Sequence, residues 1–296
     1  MNEPRIGFIG FGEAAFNIAR GLIKEEGISK IIAYDKFLSE EPYSRLIKSR
    51  ASEANVTLKK NMKETLNGVD IIFCAVSASM VVSIAEEAKQ YLKSGQIYVD
   101  INAASPTAKQ QASKIISTSG AHFVDVAVMG AVPAYGHKVP LYASGRGARE
   151  FSDILKKYHM DITYYGEKVG RASALKMFRS IFMKGVAMLL LETIVSSHKY
   201  GVEDDVWTSI EETLMGSSTK RINGWITRTV IHSERREHEM EEVVSLLQEL
   251  NMDGTMSTAT RKKMKWCTDL RLKEYFKGVP PNDYHEVLKA IDDFVK

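Results

Sequence analysis

Short apolar runs alternate with helix-like segments along the first half of the chain. Runs of strand character occur at residues 5–10 (RIGFIG), 30–35 (KIIAYD) and 70–76 (DIIFCAV). Further runs of this kind lie at 56–58, 96–101, 122–128 and 139–144. Short apolar strands that alternate with helices predict a parallel sheet covered by helices on both faces.

The pattern changes near residue 168, because strand-like runs stop there and helical periodicity takes over. The helical segments include 172–201, 202–215, 238–250 and 284–295. We therefore expect an α/β domain at 1–168, with a mostly parallel, doubly wound sheet, followed by an all-α domain at 169–296. A chain of 296 residues is long enough for each domain to have its own core.

Two glycines follow the first predicted strand and precede the first predicted helix. Gly10-x-Gly12-x-x-Ala15 has the spacing of a dinucleotide-binding loop of the Rossmann type. Gly10 would make the tight turn, and Gly12 would let the backbone approach the pyrophosphate. The phosphates would meet free N–H groups at the start of the helix. The residues expected to bind cofactor here are Gly10, Phe11, Gly12, Glu13 and Ala14.

Asp35 ends the second predicted strand, where a carboxylate can accept hydrogen bonds from the adenine ribose hydroxyls. A carboxylate would also repel a 2′-phosphate, which favours NAD over NADP. Lys36, the next residue, weakens that preference and leaves NADP as an alternative cofactor. The structural alternative is a glycine turn that binds nothing.

Charge and cysteine content exclude several other classes of protein. The formal net charge of +3 is too small to indicate a nucleic-acid partner. Cys74 and Cys267 are far apart in sequence, so neither a disulfide framework nor a metal site is expected. The apolar run Gly185–Leu191 is too short to span a bilayer. We therefore expect a cytoplasmic protein without a membrane segment.

Five motifs, in order along the chain, carry a resemblance to a known family. They are GFIGFGEAA at 7–15, FCAVSAS at 73–79, VDINAASP at 99–106, DVAVMGA at 125–131 and GRASALKMFRS at 170–180. The chain resembles the β-hydroxyacid dehydrogenase family, which includes 3-hydroxyisobutyrate and 6-phosphogluconate dehydrogenases. Its second half looks most like a less characterised, phosphogluconate dehydrogenase-like branch.

The resemblance implies roles for residues in the two loops beside the cofactor. Val76 and Ser77 would belong to one cofactor loop and Asn102 to the other. Asn102 would lie near the nicotinamide ribose, with an Asx turn before Pro106 as the structural alternative. Helical domains of this family pair between subunits, so the resemblance also implies a homodimer or a higher homo-oligomer.

The segment aligned with the family's substrate-binding residues departs from the usual pattern. Met129, Gly130 and Ala131 stand where a serine and two glycines usually bind a substrate carboxylate. A thioether cannot donate a hydrogen bond to a carboxylate. The reaction type is therefore easier to carry over from the family than the substrate.

The helix aligned with the family's catalytic helix places Lys176 on the catalytic lysine. Lys176, Ser180 and Lys184 are four residues apart and share one helical stripe. We expect Lys176 to act as general acid and base and Ser180 to hydrogen-bond the same hydroxyl. Lys184 is expected to contact a distant part of the substrate or an acidic residue. The alternative for Lys176 is a structural ion pair.

Arg179 and Ser180 replace two asparagines that the family usually carries after the lysine. Arg179 is either a bidentate clamp for a substrate carboxylate or part of a structural ion pair at the domain interface. His232 and Arg236 lie one helical turn apart. They are either surface residues or contributions from a partner subunit to the cleft.

These observations together predict an NAD(P)-dependent oxidoreductase. It would transfer hydride between nicotinamide and an alcohol or carbonyl substrate, with a small hydroxy acid as the default. Two alternatives remain open. One is an imine reductase on the same scaffold, and the other is a non-catalytic, dinucleotide-binding dimeric protein.

Overall fold

The structure is a computed structural model that describes residues 3–214 and 218–294. Contact density divides the chain into two compact units, Met1–Ile181 and Phe182–Lys296. The division falls within one long helix. The domain boundary expected from the sequence, between residues 168 and 169, lies just before that helix and stays a prediction.

The described part of the first unit contains a sheet of eight strands. In chain order the strands are β1 Ile6–Ile9, β2 Ile31–Tyr34, β3 Val56–Leu58, β4 Ile71–Cys74, β5 Ile97–Asp100, β6 His122–Val128, β7 Leu141–Ser144 and β8 Ile162–Tyr164. Their spatial order is β3-β2-β1-β4-β5-β6-β7-β8. Neighbouring strands are parallel except β6 and β7, which are antiparallel. The predicted mostly parallel, doubly wound sheet is confirmed.

Helices connect these strands and cover both faces of the sheet. They are α1 Glu13–Leu22, α2 Tyr43–Glu53, α3 Met62–Leu66, α4 Val81–Ala88, α5 Pro106–Ser117, α6 Val132–Tyr135 and α7 Ala148–Leu155. Side chains of α1, α2 and α7 pack with Phe8 and Phe73 on one face. Side chains of α3, α4 and α5 pack with Ile72 and Tyr98 on the other. This division follows from the period-2 alternation of side chains along each strand.

The remaining helices form the second half of the chain. They are α8 Arg171–Tyr200, α9 Glu203–Leu214, α10 Ser218–Ile231, α11 Ser233–Glu249, α12 Thr255–Asp269, α13 Leu272–Tyr275 and α14 Tyr284–Phe294. A cluster centred on Val230, Ile231 and Leu272 is buried within the second unit. Across residues 3–214 and 218–294, we find no helix with the length and apolar character needed to cross a membrane.

Candidate functional site

The loop between β1 and α1 has a backbone shape that only glycine suits. Gly10 has a φ of +82°, and a Cβ added there would lie 2.3 Å from the carbonyl oxygen of Ala75. Its N–H donates to the Tyr34 carbonyl at 2.8 Å. The loop is therefore pressed between the ends of β2 and β4, and a side chain at Gly10 would force it apart.

Gly12 has the opposite surroundings. A Cβ at Gly12 would meet no described atom within 4 Å. Packing within the described chain therefore gives no reason for glycine at this position, whereas a ligand that must approach the backbone does. Gly12 also precedes the first residue of α1 and has no side chain to cap the helix. The first N–H groups of α1 are therefore available to an anion.

A cavity of about 760 Å³ opens in front of this loop. It lies at the carboxyl ends of β1, β2, β4 and β5. The chain runs outward in both directions from β1, through β2 on one side and β4 on the other. Ligands of open α/β sheets bind at such a switch point. Every residue that the sequence assigned to the cofactor lines this cavity: Gly10, Phe11, Gly12, Glu13, Ala14, Asp35, Val76, Ser77 and Asn102.

Asp35 connects the glycine loop to the end of β2. Its Oδ2 accepts from the Phe11 N–H at 2.8 Å, and its Oδ1 accepts from the Phe37 N–H at 2.9 Å. Each carboxylate oxygen can accept more than one hydrogen bond, so capacity remains for ribose hydroxyls. Asp35 therefore stabilises the loop, a role that the sequence did not predict.

Besides Lys36, which the sequence had already brought into the cofactor preference, the cavity wall contains residues that sequence reasoning missed. Phe37 and Tyr43 form a tilted ring pair with centroids 5.2 Å apart. Lys36 Nζ lies 4.6 Å from the centre of the Phe37 ring, and Arg50 also lines the cavity. A signal was present in the sequence, because Tyr43, Ile47 and Arg50 repeat at helical spacing directly after the second strand. Lys36 and Arg50 thus bring two cations into the same wall as the Asp35 carboxylate.

Tyr34 stands in the same wall with its phenol held neutral. Burial raises the pKa of Tyr34, and the carboxylates of Glu87 and Asp35 raise it further. The hydroxyl therefore stays protonated at neutral pH and can both donate and accept a hydrogen bond.

Asn102 fixes the two loops that follow β4 and β5. Its Oδ1 accepts from the Val76 N–H at 2.7 Å, and its Nδ2 donates to Asp100 Oδ1 at 3.0 Å. The Nδ2 atom also lies 3.5 Å from the Cys74 sulfur. Burial, aided by the Asp100 charge, raises the pKa of Cys74 to about 12, so this thiol stays protonated. Asn102 therefore shapes the cavity by holding backbone, and its predicted ribose contact stays a prediction.

The segment predicted to bind substrate follows β6. Met129 is half-buried, and its N–H donates to the Pro140 carbonyl at 2.8 Å. Gly130 and Ala131 are exposed. These three residues are not among the described residues that line the cavity in front of the glycine loop. Their role in substrate binding stays a prediction.

The predicted catalytic stripe lies on α8. Lys176 and Ser180 are half-buried, and Arg179 is exposed. The side chain of Lys184 lies outside the described part of the structure. Phe178 and Ile181 are each 71% exposed. This part of α8 therefore has exposed apolar side chains beside half-buried polar ones.

His232 and Arg236 lie at the junction of α10 and α11. His232 is exposed, and Arg236 Nη1 donates to Thr229 Oγ1 at 2.6 Å. Arg236 thus has a contact within its own unit. Whether a partner subunit uses these residues stays a prediction.

Comparison with known proteins assigns the chain to a family. Residues 5–166, more than half of the chain, match the NAD-binding domain of 6-phosphogluconate dehydrogenase. The chain belongs to the β-hydroxyacid dehydrogenase-like family. It is accordingly an NAD-binding oxidoreductase of Rossmann type, which confirms the predicted class and cofactor. Residues 197–267 match a further family that is described only as a domain of unknown function, DUF1932.

Similar proteins cover nearly the whole chain. An uncharacterised 28.5 kDa protein of Methanothermus fervidus is 31% identical over 88% of this chain and 98% of its own length. A conserved hypothetical protein of Sinorhizobium meliloti 1021 has a solved structure with 30% identity and a TM-score of 0.62, covering 97% of this chain and 95% of its own. The conserved protein MTH1747, described as structurally similar to 3-hydroxyacid dehydrogenases, is 33% identical, with a TM-score of 0.61 and coverages of 91% and 98%.

A more distant likeness concerns the fold alone. An imine reductase of Aspergillus terreus, solved with NADPH4 and dibenz[c,e]azepine, is 12% identical. Its TM-score is 0.74, and the match covers 99% of this chain and 100% of that one.

Proposed function

We propose that the protein binds NAD(H) in the cavity at the carboxyl ends of β1, β2, β4 and β5, and catalyses hydride transfer to or from an alcohol or carbonyl substrate. The observation that carries the proposal is Gly12, whose missing side chain leaves open space at the start of α1. The nicotinamide would supply the hydride acceptor or donor. The substrate class, the acid–base residue and a homodimer that pairs through the helical second half are also parts of this proposal.

The chain's own groups fit this cofactor at each part of the cavity. The free N–H groups at the start of α1 would hold the pyrophosphate. Asp35 would accept from the ribose hydroxyls while it keeps the glycine loop in place. Asp35 supports a preference for NAD, and the nearby Lys36 and Arg50 would leave measurable affinity for NADP.

Lys176 would move the proton that accompanies the hydride. As an ammonium it would protonate the carbonyl oxygen during reduction, and as an amine it would accept the hydroxyl proton during oxidation. Ser180, one turn further along α8, would hydrogen-bond the same oxygen. Arg179 would clamp a substrate carboxylate in two hydrogen bonds. The resemblance in the segment 170–180 supports these roles.

An imine reductase is the second candidate. Met129 stands where the family usually has a serine for the carboxylate, which favours a substrate without that group. The shared fold with an imine reductase agrees with this alternative. Lys176 favours the alcohol or carbonyl reaction.

The cofactor site can be tested without knowing the substrate. We expect Gly12→Ala to weaken NADH binding at least tenfold in a fluorescence titration, because its methyl group would enter the space left for the pyrophosphate. Thermal stability should not fall, since no described atom stands near that methyl group. Gly224→Ala in α10, whose Cβ would make only ordinary contacts, is the matched control. Unchanged NADH affinity in Gly12→Ala would contradict the proposed site.

The reaction requires a second experiment. Hydroxy acids, polyols, aldehydes and cyclic imines are screened with NADH and NADPH. We expect Lys176→Ala to lower turnover by a factor on the order of 10² to 10⁴, the range of general acid–base catalysis, with NADH affinity unchanged. Turnover of imines alone would favour the second candidate. Full turnover by Lys176→Ala would refute the assigned proton transfer.

A further inference from the structure

A row of polar side chains crosses the centre of the sheet beneath the start of α8. Asp100 on β5 is paired in register with Asp125 on β6, and Asp125 is paired with Ser144 on β7. Both aspartates are fully buried. Two carboxylates on neighbouring strands repel each other strongly away from water, so the fold must supply a compensating charge.

Lys109 on α5 supplies that charge. Its side chain is 0% exposed, and its Nζ lies 2.7 Å from the Asp100 carbonyl oxygen, 2.8 Å from Asp100 Oδ1 and 3.4 Å from Asp125 Oδ1. Two of these contacts are hydrogen bonds to Asp100, and the contact with Asp125 Oδ1 is an ion pair. None of the three charged residues lines the cofactor cavity, so direct contact with the cofactor does not explain them.

One side of this cluster holds the cofactor loops. Asp100 Oδ1 accepts from the Asn102 N–H at 2.9 Å and from Asn102 Nδ2 at 3.0 Å. Asn102 Oδ1 in turn accepts from the Val76 N–H at 2.7 Å. Val76 and Asn102 both line the cavity. The position of Asp100 therefore sets the loops after β4 and β5.

The other side holds the start of α8. Asp125 Oδ2 accepts from the Gly170 N–H at 3.0 Å, the Ser173 N–H at 3.2 Å and Ser173 Oγ at 3.1 Å. Ser144 Oγ accepts from the Ala172 N–H at 3.2 Å. These N–H groups lack carbonyl partners within the helix, and a carboxylate also interacts favourably with the helix dipole. Asp125 thus caps α8 from a neighbouring strand.

We propose that Lys109, Asp100 and Asp125 form a positioning cluster that fixes the first turns of α8 relative to the cofactor loops. Lys176 lies three residues beyond Ser173, about 4.5 Å along the helix axis, so it moves with the capped turn. The catalytic consequence rests on the proposed function, because it takes Lys176 as the acid–base residue. Asp125 is a positioning residue that acts on the reaction through α8.

Asp125→Asn tests this role because an amide cannot satisfy both sides of the cluster. One side of Asp125 faces a cation and the other faces several N–H and O–H donors. The amide NH₂ must point either at the Lys109 ammonium, which repels it, or at the N–H and O–H donors, whose hydrogen bonds it cannot accept. Asp153→Asn, an exposed aspartate on α7, is the matched control. Ser173→Ala removes a single donor to Asp125 and serves if Asp125→Asn fails to fold.

The first measurement is hydrogen–deuterium exchange on the full chain, which needs no substrate. We expect Asp125→Asn to speed exchange at residues 171–177 at least tenfold and to leave exchange in β1 and β4 unchanged. NADH affinity should stay within twofold, because Asp100 still holds Asn102. Ser173→Ala should change exchange at the same residues by a smaller factor. Unchanged exchange at the start of α8 in both variants would overturn the positioning role.

The second measurement is a double-mutant cycle on turnover. We expect Asp125→Asn to lower kcat at least tenfold in the wild-type background and less than twofold in the Lys176→Ala background, because Asp125 acts through that lysine. Equal losses of kcat in both backgrounds would show that Asp125 does not act through Lys176. Full turnover by Lys176→Ala would instead overturn the proposed function. The exchange result would then decide by itself whether the cluster fixes the helix.

Discussion

The sheet core of the first unit buries large aromatic side chains, whereas the second unit leaves many large apolar side chains exposed. Phe8, Phe11, Phe73 and Phe151 are fully buried in the first unit, and the rings of Phe8 and Phe73 stack at 5.1 Å. The exposed large side chains of the second unit include Leu191, Trp207, Leu214, Ile222 and Trp225. Exposed apolar side chains mark a contact with another surface where they form one contiguous patch. This contrast supports the proposed homodimer, with the second unit supplying the contact.

The comparison is tested most strongly by removing one aromatic side chain from each unit. We expect Phe73→Ala to lower the free energy of unfolding by about 3–5 kcal/mol, because the cavity would lie in a closed core. Trp207→Ala, at a side chain that is 56% exposed, should change it by less than about 0.5 kcal/mol. Urea unfolding at low protein concentration measures both.

The same pair of variants separates folding from assembly. Sedimentation should show Trp207→Ala raising the dimer dissociation constant and Phe73→Ala leaving it nearly unchanged among folded molecules. The opposite outcome is that Trp207→Ala lowers the free energy of unfolding as much as Phe73→Ala at every protein concentration. That result would mean that Trp207 belongs to a closed core of the second unit, and the two units would not differ in this respect.

The residues assigned to the cofactor from the sequence line one cavity because they lie close to strand ends. Gly10, Gly12 and Asp35 each follow a short apolar run, and the parallel sheet brings those ends together. Strand β8, with only three residues, was missed because so short a run gives little periodic signal. Helix α12 was missed because its sequence is largely polar and carries a weak apolar stripe.

Other features depend on contacts that no local pattern reveals. Lys109 lies in the polar segment PTAKQQASK, which is typical of an exposed helix, yet it is fully buried against Asp100 and Asp125. Its burial follows from pairing across three elements. The role of Lys176 depends on resemblance, since a half-buried lysine on a helix does not by itself indicate catalysis.

A smaller loss of stability is expected where α1 packs tightly against the segment after α6. A Cβ at Gly21 would lie 2.0 Å from His137 Nδ1, and His137 is buried with its Nε2 2.9 Å from Glu25 Oε1. We expect Gly21→Ala to destabilise the protein by about 1–3 kcal/mol, because the held imidazole must move. Chemical denaturation measures the change. A neutral or stabilising result would mean that the first unit is less tightly packed than its geometry indicates.

The same contact gives the first unit a pH dependence. Burial lowers the pKa of His137, and this outweighs the raising effect of Glu25. Because the folded state binds this proton less readily than the unfolded chain, stability is full above about pH 6.5 and falls as pH drops toward the folded pKa. The slope for one proton is at most about 1.4 kcal/mol per pH unit.

Thermal unfolding between pH 7 and pH 5 measures this effect. We expect the midpoint to fall with pH in the wild type and to fall less in His137→Gln. His198→Gln provides the control in the second unit, because His198 is exposed beside Glu203 and such pairs contribute little. An equal reduction of the slope in both variants would show that the two units respond alike.

The smallest expected effect concerns Gly185, which lies inside α8 in the second unit. A Cβ there would meet no described atom within 4 Å, in contrast to Gly21. Alanine favours a helix over glycine, so Gly185→Ala should stabilise the single chain by about 0.5–1 kcal/mol in denaturant titrations at low concentration. If a second copy packs closely on this part of α8, the same methyl group will weaken the dimer in sedimentation experiments. Stabilisation of the chain together with loss of the dimer would assign the open surface around Gly185 to subunit contact, and stabilisation with an intact dimer would place that contact elsewhere on the second unit.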